Sequence, residues 1–441
     1  MKKIRIVTTF TLLDNYGQVL QAYALQRFLR DNYPQFDIKV FNINHAVSFE
    51  QMPIITPQKK TLCGKIYAKF KAVERVVRTY FYAYIMRREK YIQRLKEQTL
   101  SRQKCEFQCE IDRKVKLVEK FNAARDFVNF KKEHIALHCD EMQDFVGYTD
   151  ELNADCYIVG SDQVWSGFGT VVLENFYRGK HWIDYFTLKF LPQNHKANRI
   201  SYSASLGKKE YENDFAKWYF KDALAKFNAI SLRESCNIKT LAELGLKSVC
   251  VPDPTQLLSK SDYEKLINSA NIDEQLSSAK VRKDSVFVYM LSNETQVNKN
   301  EMMDFLRGEF GAKCVIYTNG NMWNFGCDSD FKCNFAPTPQ EWLACVRDCR
   351  LMITNSFHGC AFAITMNTPF VALAQSGTTT QENIRFDNIF EIFGLQNRLV
   401  SNLSELKAVM NEPINWDEVN LKLNEWRSVG VEFLAQNLKN L

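Results

Sequence analysis

Among its 441 residues the chain has no uninterrupted apolar run approaching the roughly 18 residues of a transmembrane helix, so no membrane span is expected. It holds 13 cysteines but no C-x-x-C pair. Cys105/Cys109 and Cys345/Cys349 stand four apart, and no further Cys or His flanks them at zinc-ligand spacing, so no metal site is expected. An odd cysteine count in a long chain fits free, buried thiols in a reducing compartment. Low-complexity tracts and internal repeats are missing, which removes disordered and solenoid architectures. Met1-Lys2-Lys3 precedes an apolar stretch, but Arg5 interrupts it, Asp14 closes it and no small-residue cleavage site follows. The stretch therefore reads as a strand rather than a signal peptide, and a cytoplasmic location is expected. Also missing are G-x-x-x-x-G-K-[ST], a G-x-G-x-x-G after the first strand, G-x-S-x-G and H-E-x-x-H. These absences weigh against a nucleotide triphosphatase, a dinucleotide oxidoreductase, an esterase and a zinc protease.

What is present is ordinary for a globular enzyme: 46% hydrophobic and 24% charged residues. The length exceeds what one core usually organises, so two domains are expected. Ile4 to Phe10 is short and β-branched and reads as a buried strand. Polar Asp14-Asn15-Tyr16-Gly17 follows, then Val19, Leu20, Tyr23, Ala24 and Leu25 at helical spacing, which is the opening of a βαβ unit. Further strands are predicted at Ile38 to Ile43, Asp155 to Gly160, Arg199 to Ser203, Ala229 to Leu232 and Ser248 to Val251. A polar stretch from Ser259 to Asp284 is expected to hold the interdomain connection. A second alternation has strands at Val286 to Leu291, Lys313 to Thr318, Leu351 to Thr354 and Pro369 to Ala372, with helices at Asn300 to Phe310, Pro339 to Cys349 and Ala361 to Met366.

The expected fold is therefore α/β: two Rossmann-like, doubly wound domains facing a cleft, with a helical hairpin inserted in the first. The expected boundaries are 1–265 for the first domain, 284–400 for the second, and 401–441 for a helical segment packing back across both. The insertion, at about 59–132, carries a heptad-like seam at Ile66, Phe70, Val73, Val77, Tyr80 and Tyr84. It holds 21 Lys+Arg against 8 Asp+Glu, so a basic arm stands on an acidic body.

Three segments place reactive side chains where a predicted strand ends. Thr354-Asn355-Ser356-Phe357-His358-Gly359-Cys360 joins a strand to a helix, where backbone N–H groups and the helix dipole attract anions. A histidine there binds phosphate or donates a proton, or simply caps a turn; the chain has only six histidines. Gly160-Ser161-Asp162-Gln163 offers a carboxylate and an amide suited to sugar hydroxyls, though Ser and Asp are also ordinary helix caps. Arg233 follows Ser231-Leu232 and suits a carboxylate or phosphate, or forms a surface pair with Glu234.

Taken together these segments resemble the polysaccharide pyruvyl transferase family. The carriers are Asp14 to Gln26 (DNYGQVLQAYALQ), Val159-Gly160-Ser161-Asp162-Gln163-Val164-Trp165, Tyr202 to Gly207 (YSASLG), Ile230-Ser231-Leu232-Arg233-Glu234, Asp253-Pro254-Thr255 and Thr354 to Gly359 (TNSFHG). Arg385 leading into Gly394-Leu395-Gln396-Asn397-Arg398 lies downstream. The resemblance implies a fold like the GT-B glycosyltransferases, phosphoenolpyruvate as donor and a sugar hydroxyl pair as acceptor. The implied product is a pyruvate ketal on a capsular or exopolysaccharide unit, with phosphate released and no cofactor beyond the donor. His358 maps to the family's essential histidine and Arg233 to an arginine required for the donor. Ser356, Gly359, Asn15, Gly17 and Arg385 are expected around the donor, and Asp14, Asp162 and Gln163 around the acceptor. The chain departs from the family at Asn355, where Asp is frequent, at Ser166 and at Gln256.

Two rival readings stay open on sequence alone: a GT-B glycosyltransferase using a nucleotide sugar, and a non-catalytic scaffold acting through its basic arm. No nucleic-acid module accompanies the charge of that arm, so nucleic acid is not an expected partner. Tyr80, Phe81, Tyr82 and Tyr84 beside Arg87 and Arg88 instead suit peripheral contact with an anionic membrane carrying a lipid-linked glycan acceptor.

Overall fold

A computed structural model describes residues 1–9, 15–44, 125–139, 143–144, 148–166, 182–207, 214–270, 283–292, 294–320, 336–377, 380 and 383–441. Asp14, the heptad-like seam, the basic arm as far as residue 124, and the Cys105/Cys109 pair lie outside the described residues. Arg125 and Lys131, at the end of that arm, are buried.

The first half runs β1 (Lys3–Val7), α1 (Tyr16–Asn32), β2 (Asp37–Val40), β3 (Ile43–Asn44), α2 (Phe127–His134), β4 (Gln143–Asp144), β5 (Cys156–Val159) and α3 (Trp182–Phe186). It continues through β6 (Asn198–Ala204), α4 (Asp214–Leu224), β7 (Ala229–Leu232), α5 (Cys236–Glu243), β8 (Val249–Cys250) and α6 (Lys260–Asn268). Its sheet is parallel with strand order β2-β1-β5-β6-β7-β8, while β3 and β4 pair separately. The second half runs β9 (Val286–Met290), α7 (Lys299–Phe310), β10 (Val315–Asn319), α8 (Pro339–Asp348), β11 (Leu351–Thr354) and α9 (Phe357–Met366). Then follow β12 (Phe370–Leu373), α10 (Ile384–Phe393), β13 (Leu399–Val400), α11 (Leu403–Val409) and α12 (Trp416–Leu438). Its parallel sheet has order β10-β9-β11-β12-β13. The α/β class with two doubly wound parallel sheets is therefore the observed fold.

Alternation explains how both sheets are buried on both faces. Phe287 and Tyr289 of β9 point into a core shared with Ile4 and Ile6 of β1 and with α1, α8 and α9. Val286, Val288 and Met290 face the opposite way, into a core against α7 and α11. Val7, Tyr157 and Val159 likewise back onto α3, α4 and α5. The layer between the sheets is thus one continuous apolar cluster that joins the two halves.

Several element boundaries differ from the sequence reading, each for a local reason. β1 stops at Val7 rather than Phe10, because Thr8 Oγ1 donates to the Ser161 carbonyl (3.3 Å) and Thr9 Oγ1 donates to Asp162 Oδ2 (2.7 Å). The Ile38 to Ile43 stretch splits, giving β2 and the separate β3. α9 begins at Phe357, not Ala361, because Ser356 caps it by accepting from the Gly359 N–H at 3.2 Å. The polar 259–284 stretch opens with a helix, α6, started by a Ser259/Asp262 capping box. At the chain's end α12 crosses the loop after β8: Arg427 donates from Nε to the Gln256 carbonyl (2.9 Å) and from Nη2 to that of Leu258 (3.3 Å). The same helix contacts α9 and α10 of the second half.

Candidate active site

Residues just past the carboxyl ends of β1, β5, β7, β8 and β11 converge between the two sheets, where ligands of open α/β sheets bind. In the first sheet the strand order turns back between β1 and β5, and the Thr8, Thr9, Ser161 and Asp162 contacts bridge that point.

Arg233 is the first residue after β7, and its N–H donates to the Ala204 carbonyl at 3.1 Å. Its Nε donates to Glu234 Oε1 (3.1 Å), its Nη1 lies 3.4 Å from Asp253 Oδ2, and its guanidinium sits 4.1 Å from the centre of the Phe357 ring. The side chains of Arg233 and Glu234 are only 2% and 1% exposed, so the surface-pair reading is wrong. Removing one partner of such a pair typically costs about 3–5 kcal/mol, against at most about 1 for an exposed pair. Nη2 of Arg233 has no hydrogen-bond partner among the described residues and is left for another group. Burial alone disfavours the guanidinium charge, but Glu234, Asp253 and Asp162 outweigh it and raise the Arg233 pKa.

The second half holds the same arginine by its backbone. Asn388 on α10 donates from Nδ2 to the Arg233 carbonyl (3.0 Å) and accepts at Oδ1 from the Ser235 N–H (2.9 Å).

His358 lies in the first turn of α9, buried, with Nε2 3.4 Å from Asp253 Oδ2. Its other ring nitrogen faces α1: a methyl group at Gly17 would come within 2.3 Å of Nδ1 and 2.7 Å of Cγ. Gly17 is thus required by a side chain of the opposite half.

Asp253 is the group that sequence reasoning passed over. It was visible only as part of Asp253-Pro254-Thr255, yet its carboxylate touches both Arg233 and His358. Burial pushes its pKa up, but His358 and then Arg233 overcome this and hold it well below the usual carboxylate range. Asp162 follows the same logic: it is half-buried, accepts from Thr9, and is held low by His358 and Arg233 against the effect of desolvation. Its φ of 63° is left-handed, a conformation that Asp tolerates better than most residues.

The remaining predicted residues have the following places. Ser356 and Asn15 serve as helix caps, Asn15 accepting from the Gln18 N–H at 3.0 Å. Gly359 is small for an internal reason, since a methyl there would lie 2.7 Å from Thr354 Oγ1. Arg385 is buried at the start of α10, near the Cys360 thiol. Gln163 is half-buried beside Gly207. Asn355 donates to the Ser292 carbonyl and accepts from the Leu291 N–H, both at 2.7 Å. An ionised Asp could not make both bonds, which gives the departure at 355 a structural reason. Cys345 and Cys349 are free, buried thiols. Among the described residues no His, Cys, Asp and Glu cluster is arranged to hold a metal ion. No helix among them is long and apolar enough to cross a membrane.

The family model for polysaccharide pyruvyl transferases matches residues 15–377. The chain belongs to this family. The match runs from the α1 cap to just past β12, so it includes Gly17, Asp162, Arg233, Asp253 and His358 of this pyruvyl transferase family member. No protein of curated function matches the chain. Solved structures similar to it include the UDP-GlcNAc 2-epimerase of Methanocaldococcus jannaschii in complex with UDP-GlcNAc and UDP, 12% identical with a TM-score of 0.46, covering 99% of this chain and 100% of that one. The UDP-N-acetylglucosamine 2-epimerase of Rickettsia bellii is 9% identical with a TM-score of 0.43, covering 100% of both chains. Likeness at this level bears on neither substrate nor chemistry.

Proposed function

We propose that this chain moves the pyruvyl group of phosphoenolpyruvate onto two hydroxyls of a sugar in a capsular or exopolysaccharide unit, forming a ketal and releasing phosphate. The observation that carries the reading is the meeting of Arg233 and His358, supplied by opposite halves, in one buried cluster in which Arg233 Nη2 has no hydrogen-bond partner among the described residues. The donor carries a carboxylate and a phosphate, and a guanidinium fork suits either. Three carboxylates, Asp162, Glu234 and Asp253, already offset the positive charge of Arg233 and of a protonated His358. Anion binding therefore also draws on the N-terminal turns of α1 and α9, which flank His358.

In this reaction His358 delivers a proton to the donor's methylene carbon, which becomes a methyl group. The neighbouring carbon gains two C–O bonds to the sugar and loses its bond to the phosphate oxygen. Of the two hydroxyl protons, one replaces the proton given by His358 and the other leaves with phosphate. Asp162 is the carboxylate available to orient an acceptor hydroxyl. A lipid-linked acceptor reached through the 59–132 arm is part of the same proposal, and cosedimentation with anionic liposomes at low salt tests it.

The decisive experiment is ligand-induced thermal stabilisation. Phosphoenolpyruvate well above its dissociation constant should stabilise the wild type by about 1–3 kcal/mol through mass action. The shift should shrink in Arg233→Lys, which keeps the charge but loses the fork. Stabilisation by a UDP-sugar with no response to phosphoenolpyruvate would overturn the reading in favour of a glycosyltransferase.

A further inference from the structure

We propose that Asp253 is the positioning residue of the site, fixing the tautomer of His358 and the orientation of Arg233 through one carboxylate oxygen. This rests on the reading above for its catalytic meaning, but the geometry stands apart from the donor's identity. Oδ1 of Asp253 is pinned by its own neighbour, accepting from the Thr255 N–H (3.0 Å) and from Thr255 Oγ1 (2.7 Å). The carboxylate therefore cannot swing, and Oδ2 points into the cluster as a shared acceptor. It accepts from Ser161 Oγ (2.7 Å) and lies 3.4 Å from both Arg233 Nη1 and His358 Nε2. Two groups of the first half and one of the second thus meet on a single oxygen, in a residue 1% exposed.

His358 Nε2 meets Asp253 at ion-pair distance and makes no hydrogen bond among the described residues. An ionised carboxylate accepts and does not donate, so the nitrogen facing it is the one favoured to carry hydrogen. His358 is then the Nε2–H tautomer when neutral, and Nδ1 is the atom that gains and loses the proton. Nδ1 is also the nitrogen that faces the first turn of α1 at Gly17, which carries no charged side chain there. Among the described residues the charged groups around His358 are Asp253 after β8 and Asp162 after β5, with Arg233 after β7 sharing Asp253. The first turn of α9 itself adds neither an acidic nor a basic residue. An acid or base held in the wrong tautomer loses the proton transfer it would make, a contribution of about 100-fold or more.

The test reads the ring nitrogens of His358 directly, by ¹⁵N-labelled histidine spectroscopy of the full chain without ligand. The neutral wild-type ring should be the Nε2–H tautomer. In Asp253→Asn, where an amide N–H can replace the accepting oxygen that faces the ring, the neutral ring should shift toward the Nδ1–H tautomer. Turnover of phosphoenolpyruvate should fall about 100-fold or more in kcat, with KM unchanged or lower because Arg233 loses a counter-ion. An Nδ1–H tautomer in the wild type overturns the proposal even if the variant fails to fold, and so does an unchanged Nε2–H tautomer in a folded Asp253→Asn. A wild type with the Nε2–H tautomer but no phosphoenolpyruvate turnover would instead sink the donor assignment and leave the positioning role in place.

Discussion

Tyr16 and Gly17 are neighbours on α1, yet they belong to two different contacts between the halves. Tyr16 stacks on Trp342 with ring centres 5.3 Å apart, and both meet Tyr289 edge-on at 5.7 and 5.1 Å. The Tyr16 hydroxyl donates to the Pro337 carbonyl at 2.6 Å, and all three rings are buried. Gly17, one residue on, lies against His358 in the charged cluster. The aromatic contact gains from every apolar atom it hides and from edge-to-face ring geometry. The charged contact gains little net energy from burial, because desolvation offsets attraction, and its partners depend on one another. One contact holds the halves together; the other keeps reactive groups poised.

The largest expected effect comes from breaking the first contact. Trp342→Ala should lower unfolding stability by about 3–5 kcal/mol, read from denaturant midpoints. The charged cluster should survive wherever the variant stays folded, so phosphoenolpyruvate-induced stabilisation should persist. A variant as stable as wild type would remove the aromatic contact from any structural role.

Gly17→Ala acts on the second contact from the same helix turn. Its methyl group would stand 2.3 Å from His358 Nδ1, so the ring must move. Displacement of a reacting group by about 1 Å can reduce turnover about 100-fold, while overpacking costs about 1–3 kcal/mol. A loss of stability with full turnover would show that His358 tolerates displacement, and would weaken its assignment as the acid.

These contrasts also show what could be read from the chain. The strands were legible because parallel strands buried on both faces are continuous apolar runs, as in Val286–Met290. The start of α9 was misplaced because Phe357-His358-Gly359 looks like a turn, although Ser356 three residues before the Gly359 N–H is a capping signal. Arg233 and His358 were found by residue type at strand ends. Asp253 was not, because its importance comes from residues far away in the sequence that meet it only in three dimensions. Gly17 reads from sequence as a turn glycine and, by the family resemblance, as a donor contact, whereas the structure sets it against His358 of the other half. Asn355 looked like a lost carboxylate, and only its two neighbours show that an amide is needed there.

A smaller effect is expected at Asn388, which ties the Arg233 backbone to the second half. Asn388→Ala leaves the Arg233 carbonyl and the Ser235 N–H without this partner, a cost of about 0.5–1.5 kcal/mol per hydrogen bond because Ser235 is exposed and water can reach the site. Phosphoenolpyruvate affinity should fall more than in Trp342→Ala. Equal affinity in both variants would mean that Arg233 is held well enough by Glu234 and Asp253 alone.

The finest separation of the two contacts is by pH. Asp253 and Asp162 are held below the ordinary carboxylate value of 3.8 by His358 and Arg233, against the effect of burial. A depressed folded-state pKa contributes stability that is fully present above the unfolded value. That contribution begins to fade as pH drops below about 4 and is gone once pH passes the folded values. Each such proton contributes a slope of up to about 1.4 kcal/mol per pH unit within that window. Asp253→Asn should therefore lose stability less steeply than wild type below pH 4. Trp342→Ala should start lower but keep the wild-type slope, because no titrating carboxylate has been touched. Parallel acid limbs for wild type and Asp253→Asn would mean that the charged cluster contributes no pH-dependent stability, and the division between the two contacts would fall with it.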